Sequence, residues 1–194
     1  MCLESSRAVP RGRPPNPVKP ADSAESAWYA LYTRHQHEKA IARVLSSKGF
    51  EVFLPLYTAL HRWKDRTKQI ALPLFPCYVF LHGQVHRRLD ILSTPGVHSV
   101  VSAEGRPAPI SEEEVDAIRQ MIESKALIEP HPFLKTGDLI RVKGGPLAGI
   151  EGILVRKKNQ WRLVVSVELL QKSVAVEVDA AEVERVPKRS PVGA

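Results

Sequence analysis

Trp28-Tyr-Ala-Leu-Tyr-Thr33 is the stretch on which the fold turns. Its aromatic and aliphatic residues, unbroken by Gly or Pro, have strand character. Downstream, Ala40, Ile41, Val44 and Leu45 recur at helical spacing, with Lys39 and Arg43 on the outer face. Gly49 stops that helix. Residues 51–57 read as a second strand. His61-Arg-Trp-Lys-Asp-Arg-Thr-Lys68, polar and basic between two apolar runs, fits a projecting hairpin. A third strand is expected in Phe75-Pro-Cys-Tyr-Val-Phe-Leu81, and Val85, Leu89 and Leu92 suggest a short helix ended before Pro95-Gly96. A further strand covers residues 97–102. Ser111 and Glu114 form a capping box before the apolar stripe Val115, Ile118, Met121 and Ile122. Strands interleaved with helices imply an α+β sandwich, an antiparallel sheet with flanking helices, over residues 27–126.

Outward from that unit the pattern changes at both ends. Residues 1–26 carry Pro10, Pro14, Pro15, Pro17 and Pro20 and few large apolar groups, so a flexible basic tail is expected. Residues 127–135 dissolve around Pro130 and Pro132 and read as a linker. Beyond it the period becomes 2: Ile140 and Val142, then Trp161, Leu163, Val165 and Val167, then Val174, Val176 and Val178. Short strands with Gly-rich turns and no helical segment indicate a small β-barrel over residues 136–188, with a tail at 189–194.

With 43% apolar residues in 194, the chain can bury a packed core. No apolar run reaches the roughly 18 residues that span a bilayer. Residues 1–26 hold no apolar signal-peptide core, and Cys2 and Cys77 make no disulfide framework, so a cytoplasmic address is expected and no membrane partner. The net charge of +7 is uneven. Residues 27–95 hold 10 Lys and Arg against 4 Asp and Glu, residues 96–133 hold 3 against 7, and residues 134–194 hold 11 against 7. Localised positive charge suits a polyanion, and it equally suits a solvated face.

Catalytic chemistry is scarce. Gly144-Gly-Pro-Leu-Ala-Gly149 lacks the Gly-Lys-Ser/Thr ending and a following helix, so turn glycines explain it better than a phosphate cradle. His35 and His37 stand two apart with no third ligand at metal-binding spacing, so neither metal nor cofactor is expected. Cys77, within an apolar run, reads as a small core residue. An enzyme is not expected.

Two features look like binding surfaces. Tyr32, Phe75 and Tyr78 cluster in type around Pro76, whose place in a strand-like run suggests an exposed edge or bulge; the same rings would also serve as core. In the hairpin, Arg62, Lys64, Arg66 and Lys68 alternate along the chain and would share one extended face, with Trp63 able to stack on a base. A mobile polar loop is the rival reading.

Trp28-Tyr-Ala-Leu-Tyr-Thr33, Pro73-Leu-Phe-Pro-Cys-Tyr-Val-Phe80 and Pro107-Ala-Pro-Ile-Ser-Glu-Glu-Glu-Val-Asp-Ala-Ile118 resemble the N-terminal (NGN) domain of the NusG family. Gly137-Asp-Leu-Ile-Arg-Val-Lys-Gly-Gly-Pro-Leu-Ala-Gly-Ile-Glu-Gly152 resembles its KOW motif, an SH3-like barrel, with Gly137, Gly144, Gly145, Gly149 and Gly152 as the motif glycines. The Pro-Leu-Phe-Pro-x-Tyr form is similar to the specialised RfaH and UpxY antiterminators, while Cys77 stands where Gly is usual. The resemblance implies a monomeric transcription elongation and antitermination factor. Its N-terminal domain would grip the clamp helices of the largest RNA polymerase subunit and suppress pausing, with Tyr32, Phe75, Pro76 and Tyr78 on the docking face. Arg34, His35 and the basic hairpin would meet upstream or non-template DNA. The KOW domain would recruit a ribosomal protein or Rho, although Glu168-Leu-Leu-Gln-Lys172 lacks the aromatic expected in that loop. The alternative is a ribosome-associated KOW-type RNA-binding protein.

Overall fold

The computed structural model describes residues 26–62, 67–84, 87–134, 136–157 and 160–186. In chain order, β1 (Ala27–Thr33) leads into α1 (Glu38–Ser47), β2 (Glu51–Phe53), β3 (Leu56–Arg62), β4 (Thr67–Pro73), β5 (Tyr78–Gly83) and α2 (Arg88–Leu92). Next come β6 (Val97–Val100), β7 (Ser102–Ala103), β8 (Arg106–Pro107), β9 (Pro109–Ile110) and α3 (Glu112–Glu123). The main sheet runs β2-β5-β1-β6, antiparallel throughout, with β9 pairing the start of β1.

Alternate residues of β1 feed two cores, which is why its sequence is apolar or aromatic from Ala27 to Tyr32. Trp28 and Ala30 join Phe80 beneath Val115, Ile118 and Met121 of α3. Tyr29 and Leu31 join Leu81 against Ile41 and Leu45 of α1 and Ile91 of α2. The sheet therefore lies between helices on both faces, an α+β sandwich as expected. Two helix stripes differ from the sequence reading. In α1 the inward face is Glu38, Ile41 and Leu45, while Ala40 and Val44 are exposed. Four adjacent apolar positions span too wide an arc for one contact, and the sheet takes the 38–41–45 row. In α2, Ile91 turns inward with Leu92 packed beside it, Leu89 is 81% exposed, and Val85 lies outside the described residues.

The third strand also begins later than expected. The Tyr78 N–H donates to the Phe75 carbonyl (3.1 Å), closing a β-turn over Phe75, Pro76, Cys77 and Tyr78 before β5 starts. Pro76 sits at the second turn position, where its fixed φ is favourable and its missing N–H breaks no ladder. Cys77 follows at φ +69°, the pairing characteristic of a type II turn and the reason Gly suits this position. β5 itself is an inner strand between β2 and β1, not an edge.

β3 and β4 pair in a two-stranded ribbon separate from the main sheet, from Leu56↔Pro73 to Arg62↔Thr67, and the hairpin's residues 63–66 lie outside the described residues. Lys39 Nζ donates to the Ala71 carbonyl (2.7 Å) and ties the ribbon's base to α1. At the start of α3 the Ser111 side chain does not cap the helix and instead donates to Glu113 Oε2 (3.4 Å).

The second half is a six-stranded antiparallel sheet of β10 (Ile128–His131), β11 (Asp138–Val142), β12 (Glu151–Lys157), β13 (Gln160–Val167), β14 (Lys172–Val178) and β15 (Val183–Arg185), ordered β10-β14-β13-β12-β11-β15. The expected linker is thus partly strand: Ile128 to His131 pair with Val176 to Ser173. Pro130 signalled a break, but β10 lies at the sheet's end, where a strand tolerates proline. Ile140, Val142, Leu163, Val165, Val174 and Val176 fill the barrel, matching the alternation.

The motif glycines divide by physical cause. Gly145 (φ +77°) and Gly149 (φ +87°) hold left-handed backbone around a short 3-10 turn, Gly145–Leu147. A Cβ on Gly152 would lie 2.5 Å from the Val164 carbonyl oxygen, and one on Gly137 would lie 2.3 Å from Ile153 Cγ2. A Cβ on Gly144 would meet open space. α3 packs against the barrel: Gln120 Nε2 donates to the carbonyls of Pro146 (3.1 Å) and Ala148 (3.0 Å), and the Glu168 N–H donates to Glu114 (3.2 Å). Burial at this contact raises the Glu114 pKa, partly offset by the Glu168 N–H.

Candidate binding surface

Tyr32 and Tyr78 are register partners at one end of the β1–β5 pair, with ring centroids 5.7 Å apart. Tyr32 has the parity of Trp28 and Ala30, so the sheet face that α3 covers runs on to this end and emerges there. Tyr32 is 44% exposed, Pro76 is exposed and Tyr78 is half-buried. Desolvation, then the neighbouring Tyr32 and Cys77, raises the Tyr78 pKa, so its hydroxyl stays neutral and able to donate.

Phe75 does not belong to this surface. Only 1% exposed, it packs edge-on against Phe80 at 5.4 Å within the α3-side core. The correction has a local cause, since the turn after Leu74 takes the chain back into the sheet and carries the Phe75 ring inward with it. His98 takes its place in the aromatic row, 5.5 Å from the Tyr32 ring. Pairing passes from Tyr32↔Ser99 to Thr33↔Val97, which leaves His98 as the extra residue of a β-bulge. A bulge breaks strand alternation, so periodicity carried no signal for His98.

The basic candidates divide. Arg34 and His35 are exposed in the β1–α1 connection. Lys68 is exposed on β4. Trp63, Lys64 and Arg66 lie outside the described residues, as does the side chain of Arg62. The register corrects one expectation: position 62 pairs with Thr67 and Lys68 pairs with His61, so positions 62 and 68 fall on opposite faces of the ribbon. Alternation places residues on one face only while the strand runs on, and the chain reverses between 62 and 67.

A second cluster lies at the foot of the aromatic row. Glu38, in the first turn of α1 and 3% exposed, accepts the Cys77 N–H through Oε1 (2.9 Å). Cys77 Sγ stands 3.6 Å from His35 Nδ1. Cys77 is therefore a half-exposed turn residue, not the core residue expected from its apolar flanks. His35 has Glu38 three residues on along the chain, and the fold brings Cys77 to both; the β1–α1 connection and the β4–β5 turn are held together by Thr33 N–H donating to the Cys77 carbonyl (2.8 Å).

Residues 26–119 match the family described as transcription termination factor nusG. Along most of its length the chain is similar to proteins named transcription termination/antitermination protein NusG. That of Yersinia pestis is 35% identical over 179 residues, covering 85% of this chain and 99% of the relative. That of Helicobacter pylori strain J99 is 23% identical over 172 residues, covering 82% and 98%. The fold is similar to a solved structure titled "Domain interaction in Thermotoga maritima NusG", with a TM-score of 0.53 at 20% identity, covering 84% of this chain and 98% of that one. An NGN-type sandwich followed by a β-barrel, matched along nearly the whole length of its relatives, makes this chain a member of the NusG family of transcription termination/antitermination proteins.

Proposed function

We propose that this protein is a transcription elongation and antitermination factor that docks on the clamp helices of RNA polymerase through the open end of its first sheet. The supporting observation is the row of exposed Tyr32 and His98 with half-buried Tyr78 beside Pro76, continuous with the sheet's apolar α3-side face. Such a row offers a helical partner an exposed aromatic anchor backed by a half-buried ring, the arrangement that concentrates binding energy. Docking there would bridge the cleft and suppress pausing. Arg34 and the basic hairpin would meet upstream or non-template DNA, and the barrel would recruit a further partner, a ribosomal protein or Rho. The Pro73-Leu-Phe-Pro-Cys-Tyr78 form supports a specialised member acting on few transcription units, and genome-wide occupancy confined to a few of them is the measurement that decides it.

Tyr32→Ala should weaken binding of the full chain to an isolated clamp coiled coil by about 2 kcal/mol, about thirty-fold, with its thermal transition unchanged. Equal affinity for variant and parent would remove this surface from the interface. Binding to assembled elongation complexes tests the hairpin separately. Neutralising Lys64, Arg66 and Lys68 should lower the slope of log affinity against log salt by roughly 0.7–0.9 for each phosphate that these side chains neutralise in the parent. An unaltered slope would mean that these residues touch no nucleic acid. Co-purification with ribosomes in place of polymerase would support the RNA-binding alternative.

A further inference from the structure

We propose that His35, Glu38 and Cys77 form a binding site for a zinc-class divalent cation, with one coordination position open. The inference stands apart from the polymerase reading and holds or fails without it. One nitrogen, one oxygen and one sulfur donor atom, from three side chains on two segments, lie within 4.8 Å of one another. The separation of Cys77 Sγ from His35 Nδ1 is 3.6 Å. Ligands at Zn–S about 2.3 Å and Zn–N about 2.0–2.1 Å, set at the tetrahedral angle, stand about 3.6 Å apart, so this pair already spans one edge of such a site.

The carboxylate is placed as metal-binding carboxylates usually are. Glu38 Oε1 is held by the Cys77 N–H, which orients the group and leaves a second oxygen for a ligand. Its burial disfavours an uncompensated charge, and a cation beside it would supply compensation. Sulfur and imidazole donors select zinc-class ions over magnesium or calcium, which demand oxygen. Three protein ligands leave a fourth position on the exposed His35 side, for water or for a donor from a partner. Coordination requires the thiolate, so binding releases the thiol proton to solvent. Cys77 also holds φ +69°, left-handed backbone that Gly adopts more readily than a residue with a side chain. A metal bond would compensate that strain and pin the start of α1 to the turn before β5.

Cobalt(II) is the probe, because a thiolate bound to it gives a charge-transfer absorption. The full chain would carry Cys2→Ser, leaving Cys77 as its one thiol, and would be stripped with chelator before titration. The expected result is one equivalent of Co2+ bound with the thiolate band and displaced by Zn2+. Affinity should fall at least 100-fold in Cys77→Gly and in His35→Ala. Both variants should fold without metal, since His35 is exposed and Gly suits the Cys77 backbone, and circular dichroism and the thermal transition check that directly. Absence of the thiolate band, or equal Co2+ affinity in both variants, would overturn the proposal and leave a thiol–imidazole hydrogen bond only. A band present in the parent and abolished by Cys2→Ser alone would overturn it too, by assigning the sulfur ligand to the N-terminal segment.

Discussion

Phe75→Ala is expected to lower the unfolding free energy by about 3–5 kcal/mol, the usual cost of emptying a buried aromatic site. Phe75 is 1% exposed and meets Phe80 edge-on among Trp28, Leu74 and Val115, so the neighbours on the sheet and on α3 cannot easily collapse into the void. Against a typical total of about 5–15 kcal/mol, that loss would be visible as a large downward shift of the urea midpoint. Any weakening of polymerase binding would then follow the unfolded fraction. A variant with its midpoint intact and its clamp affinity reduced would contradict the burial of this ring and return Phe75 to the docking face. Comparison with Tyr32→Ala is decisive, because Tyr32 is open to solvent and should affect affinity without stability.

Arg162→Ala should cost about 2–4 kcal/mol through a different mechanism, the breaking of a buried ion pair. Arg162 is 7% exposed on β13, and its Nη1 donates to Glu129 Oε1 on β10. Glu177, the register partner of Arg162 on β14, holds a buried oxygen without a hydrogen-bond partner among the described residues. Removing the cation leaves carboxylates in a poorly solvated place, and breaking a buried pair usually costs about 3–5 kcal/mol. Glu129 is about one-third exposed, so solvent screening reduces that figure. The double variant Arg162→Met with Glu129→Leu should recover most of the loss, and chemical denaturation of the four-member cycle measures the coupling. Additive losses would mean that β10 does not depend on this pair for its place in the barrel.

Both predictions concern positions where sequence reading and structure part company, and the reasons are specific. Phe75 and Tyr78 are aromatic residues three apart around one proline; which ring turns inward depends on the turn at Pro76-Cys77, and composition does not encode that. Glu129 lay in a segment read as a linker because its neighbour Pro130 interrupts alternation. An end strand tolerates that proline, but strand order is a tertiary property. His98 was unreadable because it is the extra residue of a bulge.

Periodicity and polarity along the chain determined the large-scale organisation: a sandwich of sheet and helices, a two-stranded ribbon, and a Val-rich barrel with its turn glycines. These follow from local rules, in which apolar residues spaced by two or by three to four must bury one face, and Gly marks left-handed or crowded backbone. Only the tertiary structure decided which rings remain open at the sheet's end, that α3 seats the barrel through Gln120 and Glu114, and that Cys77 meets His35 and Glu38. Each of these joins residues distant in sequence, and their meeting depends on strand order, register and turn geometry set by the whole core.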